Sequence, residues 1–170
     1  MKTILKFVLV IAIVALCSNV SAQTLKLAHI NINELVVSMS EYDSAMVKMQ
    51  KIQKQLESEM ETLQVEYRRK LDDYTKNEAS LTDIVKQSRQ QELVGYQQRL
   101  QTFSESAQQT LEDENNKLMQ PVLEKANKAI ETVAKEQGIT YVLSAQAVLY
   151  KAIDSVDLLP AVKQHMGIKK

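Results

Sequence analysis

A helical apolar repeat that runs out along residues 49–74 and returns along residues 85–111 limits this fold more than any other feature. On the outward leg the apolar positions are Met49, Ile52, Leu56, Met60, Leu63, Tyr67, Leu71 and Tyr74, at spacings of 3, 4, 4, 3, 4, 4 and 3. Three contacts in every 11 residues nearly match the α-helical period, so such a helix runs almost straight. The return leg carries Val85, Leu93, Tyr96, Leu100, Phe103, Ala107 and Leu111, and its middle follows a 3,4 heptad pattern. Folded back, Tyr74 meets Val85, Tyr67 meets Leu93, Leu63 meets Tyr96, Leu56 meets Phe103, Ile52 meets Ala107 and Met49 meets Leu111. The residue numbers of each pair add to 159 or 160. The spacing therefore predicts an antiparallel helical hairpin turning at Ala79–Ser80, with Ser80 or Thr82 capping the return helix. The outward helix, from about Tyr42 to Asn77, would be about 50 Å long at 1.5 Å per residue.

Composition agrees with long helices. Three Gly and two Pro in 170 residues leave little turn punctuation, which argues against an all-β or loop-rich scaffold. The hairpin has one seam and no second layer. Each buried seam residue contributes roughly 1.5–3 kcal/mol, enough to hold two helices together but not to build a globule. Gly95, inside the return helix, costs about 1 kcal/mol relative to Ala. It reads either as a soft point or as relief of crowding beside Leu63 and Tyr96.

The ends of the chain differ from its middle. Lys2 and Lys6 precede an 11-residue apolar run, Phe7 to Cys17, and Val20, Ser21 and Ala22 supply small residues for cleavage. Residues 1–22 read as a secretory signal peptide cut after Ala22, since the run is too short to span a bilayer. The mature chain would begin at Gln23, lose the sole Cys, and carry 19 basic and 21 acidic residues. Residues 25–32, LKLAHINI, suggest one strand. Ile139–Leu143 and Ala147–Ile153 suggest a β-hairpin around Ser144–Gln146. Asp157 would cap a last helix bearing Leu158, Val162 and Met166 on one face, with Pro160 in its first turn and Gly167 past its end. The expected class is mainly α with a small β part: a helical-hairpin arm, residues 41–120, on a β-rich oligomerisation base, residues 23–40 and 121–170. Open sheet edges in the base call for a closed homo-oligomer, of a number the sequence leaves open.

No constellation points to catalysis. His29 and His165 stand without a second His or a Cys at ligand spacing, so no metal site, catalytic residue or cofactor is expected. The balanced charge and the lack of a basic aromatic patch exclude nucleic acid. What remains is surface. Residues 40–120 carry 11 basic and 15 acidic residues. The part near the turn is richer in base, with Arg68, Arg69, Lys70, Lys76, Lys86 and Arg89, and is the place where weak contact with a membrane surface would occur. Met46, Val65, Ile84 and Val94 lie off the seam. Together with Arg68, Arg69, Lys86 and Arg89 they are the candidate contact residues for non-native chains.

The chain resembles the Skp (OmpH-like) periplasmic chaperone family. The resemblance spans the mature chain and rests on KLAHININELVVSMSEY at the start, on Leu81-Thr82-Asp83 at the turn, and on PVLEKANKAIETVAKEQGITYVLSAQAVLY from Pro121. It implies a jellyfish-like homotrimer, in which strands of three subunits form a barrel and three arms enclose a cavity for unfolded outer-membrane proteins. It implies an ATP-independent holdase in the periplasm and no enzyme. The best-known members are strongly basic, whereas this mature chain is slightly acidic. The competing reading is a periplasmic coiled-coil adaptor with one defined folded partner.

Overall fold

The computed structural model describes residues 25–169; the segment read as a signal peptide, 1–22, lies outside them. In chain order the elements are β1 (Leu27–Ile30), α1 (Ile32–Val37), α2 (Ser40–Asn77), a 3-10 turn (Glu78–Ser80) and α3 (Asp83–Glu136). Then follow β2 (Tyr141–Ser144), a second 3-10 turn (Ala145–Ala147), β3 (Val156–Asp157) and α4 (Leu159–His165). The fold is mainly helical, a long antiparallel hairpin of α2 and α3 above a small three-stranded sheet.

The apolar repeat becomes the hairpin seam. Met49, Ile52, Leu56, Met60, Leu63, Tyr67 and Tyr74 of α2 are half-buried, as are Leu93, Tyr96, Leu100, Phe103, Ala107 and Leu111 of α3. Leu71 and Val85, toward the turn, are more exposed. Besides Lys125 Nζ to Glu41 Oε1 at the arm's root, three side-chain hydrogen bonds among the described residues cross the seam: Lys70 Nζ to Glu92 Oε1 at 2.5 Å, Gln90 Nε2 to the Tyr74 hydroxyl at 2.9 Å, and Gln97 Nε2 to the Tyr67 hydroxyl at 2.8 Å. The numbers of the partners in these three add to 162 or 164, slightly beyond the expected 159 or 160. Side chains on both helices lean toward their own N-terminus, so touching residues stand past the level of their Cα atoms. Asn77 and Asp83, which end α2 and begin α3, are symmetric about residue 80.

Capping at the turn departs from expectation. Thr82 occupies the N-cap position in extended conformation, yet its side chain makes no capping bond. Ser80 Oγ instead donates to the Asn77 carbonyl at 2.8 Å and closes the end of α2. The carboxylate of Asp83 in the first turn of α3 complements the helix dipole.

The base is a single core under the arm. Ala28 and Ile30 of β1, Leu35 and Val36 of α1, Met39, and Leu158, Leu159 and Val162 pack against one face of α3. That face is Val122, Ala126, Ala129 and Val133, at spacings of 4, 3 and 4. Burial on α3 begins immediately after Pro121, which sits inside an unbroken helix. Small alanines let the sheet and short helices lie close to α3. Gly138, at φ 64°, then ends α3 in a left-handed turn, with the Ile139 N–H on the Ala134 carbonyl at 2.9 Å.

The structure differs from the expected strands at both ends of the described residues. β1 stops at Ile30, because Asn31 caps α1: its Oδ1 accepts from the Glu34 N–H at 3.2 Å. The expected β-hairpin over 139–153 does not form. The sheet order is β2-β1-β3, and both outer strands run parallel to β1. Leu27 pairs with Tyr141 and Ile30 with Ser144 on one side, and His29 with Asp157 on the other. A hairpin would place β3 beside β2. Parallel partners on opposite edges require the chain to cross β1, and residues 145–155 make that crossing. The final helix forms as expected: the Asp157 carboxylate accepts from the Leu159 N–H at 2.9 Å, and Leu158 and Val162 are fully buried.

Candidate functional site

The arm is a two-helix ribbon with one face of each helix against the other and the rest in solvent. Among the expected contact residues, Val65, Ile84 and Val94 are exposed, Ile84 at 82%. Met46 is half-buried and lies near the arm's root rather than on its open surface. The basic residues near the turn are partly neutralised. Lys70 and Arg89 both bind Glu92, at 2.5 and 3.0 Å, and Lys76 binds Asp72 at 2.6 Å. Arg68 gives its Nε–H to the Gln64 carbonyl at 3.4 Å. These pairs hold the Glu92 carboxyl below its usual range, through Lys70 first and Arg89 second. The turn is therefore less cationic toward a partner than its residue count suggests.

Midway along the arm the seam opens. A groove of about 350 Å³ lies between α2 and α3, floored by Leu56, Met60, Phe103, Ala107 and Leu111. The opening follows from side-chain size. Ala107 and Ser104 face α2 with short side chains, where Phe103 and Leu111 on either side reach across. Leu56 and Phe103, expected to pair across the seam, both line this groove. Sequence reasoning placed Ala107 in the seam but missed that a small residue there leaves room; its size was the available signal.

The base carries a polar cluster around His29 that no spacing in the sequence signals. By strand alternation His29 faces away from Ala28 and Ile30, and the crossing segment covers it to 4% exposure. Lys151 Nζ lies 3.0 Å from its Nε2, and Ser155 Oγ 3.1 Å from its Nδ1. An ammonium has only hydrogens to give, so Nε2 accepts and Nδ1–H donates to Ser155. Asp157 stands 3.9 Å from Nε2. The cluster ties the crossing segment to β1. Outside it, the same segment presents Leu149, Tyr150 and Ile153 to solvent, Leu149 and Ile153 completely. They continue an apolar sheet face of Leu27, Tyr141 and Leu143, which are 46–57% exposed. That much unpartnered apolar surface on a small base marks an interaction site.

Comparison with known proteins bears on both features. The profile of the family described as Outer membrane protein (OmpH-like) matches residues 26–166. Among solved structures, the chain is similar to a protein from Caulobacter crescentus CB15 described as a candidate outer membrane chaperone (OmpH-like), with a TM-score of 0.73 and 15% identity. The likeness covers 84% of this chain and 83% of that one. No curated protein matches the chain.

Proposed function

The chain belongs to the OmpH-like outer membrane protein family, and from that premise we propose that it is an ATP-independent holdase that keeps unfolded outer-membrane proteins from aggregating in the periplasm. The observation that carries this reading is the arm: a single-seam hairpin whose open faces and mid-arm groove offer weak apolar contacts to a chain without fixed structure. Val65, Ile84 and Val94, with Arg68, Arg69, Lys86 and Arg89 nearby, serve as dispersed contacts. The function is binding rather than catalysis.

Several arms acting together make weak contacts effective, because contacts on linked arms add through effective concentration. The apolar surface of the base supports self-association, and the family's trimer is the assembly we adopt. Strands at the sheet edges, with Leu149, Tyr150 and Ile153, would then be covered by neighbouring copies. The division into an arm of residues 41–120 and a base of 23–40 and 121–170 is supported by where burial on α3 begins. Export would leave a mature chain starting at Gln23. Weak contact of the arm tips with a membrane surface would rest on Arg68, Arg69 and Lys86, since Lys70, Lys76 and Arg89 are held in ion pairs.

The test is light scattering of an outer-membrane barrel protein diluted from denaturant. An equimolar amount of the assembled chain is expected to suppress the signal. Unchanged aggregation, with binding to a folded partner instead, would replace this reading with an adaptor.

A further inference from the structure

The mid-arm groove has a chemical character of its own. Its floor is apolar and half-buried, and its rim on α2 carries Glu57 and Glu61. The remaining polar residues around it are Gln53, Gln64, Ser104 and Gln108, so no lysine or arginine lines it. Glu57 accepts one hydrogen bond from Gln53 Nε2, at 2.9 Å. Among the described residues neither carboxylate is paired with a cation, in contrast to Glu41, Glu92, Glu114 and Glu131 elsewhere on the long helices. An apolar slot edged by two unneutralised carboxylates is complementary to an apolar side chain with a cationic neighbour.

The dimensions narrow the occupant further. Glu57 and Glu61 are one helical turn apart, about 6 Å along the axis. In an extended chain, side chains two residues apart point the same way and are separated by about 6.8 Å. A large apolar residue can therefore enter over Ala107 while a Lys or Arg two positions away lies along the rim. Met60 in the floor adapts to aromatic or aliphatic shapes.

We propose that this groove is a client subsite for extended segments carrying a large apolar residue with Lys or Arg two positions away. The inference rests on the holdase reading and adds a selectivity to it: this arm takes cationic stretches of an unfolded chain, by its acidic rim, and disfavours acidic ones.

The test uses the assembled full-length mature chain and fluorescence anisotropy of two labelled unstructured peptides. They share one central Phe and differ only in Lys or Glu two positions to either side of it. The Lys peptide is expected to bind about fivefold more tightly at low salt, as two exposed ion pairs allow, and high salt should shrink the difference. The double variant Glu57→Gln, Glu61→Gln should bring the ratio to about one without changing the thermal melt. Ala107→Leu, which fills the slot, should weaken both peptides; circular dichroism confirms that the helices persist. Equal affinities for the two peptides, or a preference that survives the double variant, would overturn the proposal. Suppression of barrel-protein aggregation, measured on the same samples, separates the two claims. If suppression persists without peptide preference, the subsite is wrong and the holdase stands. If wild type neither suppresses aggregation nor binds either peptide, both fall.

Discussion

His29 sits at the junction of three pieces of the base, and its burial was not readable from the apolar pattern around it. The run from Ala147 to Ile153 has strand-like composition, so the sequence points to a paired hairpin and offers no cover for His29. The chain instead crosses β1, and the crossing segment supplies Lys151 and Ser155 as partners for the ring. Replacing His29 by Ala would leave both partners unmatched beside a void. The expected loss is about 2–4 kcal/mol of stability, read from the midpoint of urea unfolding; a loss under about 1 kcal/mol would mean the crossing is held elsewhere. Glu92 offers a second test at this scale. Lys70 and Arg89 lower its pKa from the ordinary 4.5. A depressed carboxylate contributes stability above its unfolded pKa and loses it as pH falls through the folded one. Glu92→Gln should therefore destabilise the arm slightly at neutral pH, by well under 1 kcal/mol for a part-exposed pair. The difference from wild type should vanish in melts taken well below pH 4.5.

Elements formed by a long, regular pattern were the legible part of this chain. The arm, its turn near residue 80 and nearly every seam residue follow from spacing alone, because a 3.6-residue period sustained over many turns has few alternative solutions. Short elements were less legible. α1 lies almost wholly beyond the strand read over 25–32, sharing only Ile32 with it, and its capping residue Asn31 resembles a loop residue until the helix beyond it is seen. β3 has two residues and no pattern to detect. Pro121 reads as a boundary, yet α3 passes through it, and what changes there is the onset of burial at Val122. The two readings of Gly95 are resolved by space. A Cβ built there would meet nothing within 4 Å, so crowding is not its purpose. Gly95→Ala should raise the melting temperature through a gain of about 0.5–1 kcal/mol, and slower amide exchange across residues 91–99 would localise the gain to the arm.

At the scale of the whole molecule the base and the arm ask for different partners. The base exposes Leu149, Tyr150 and Ile153 on a small core, and the arm exposes a groove and scattered apolar residues. Changing Leu149 and Ile153 together to Ser should reduce the mass in solution toward that of one chain while helicity by circular dichroism stays unchanged. An unaltered mass would place the assembly contact elsewhere, and aggregation assays on the same variant would report how far client retention depends on linked arms. The topology of the sheet has a further bearing on how such a molecule comes into being. β1 is the central strand, and both of its neighbours lie at the far end of the chain, residues 141–144 and 156–157. A polypeptide threaded out of a membrane pore with its N-terminus leading would zip the hairpin as soon as residue 111 cleared the exit. Its first strand would wait, unmatched, until the last thirty or so residues had emerged. Each copy thus completes its arm before it completes its base.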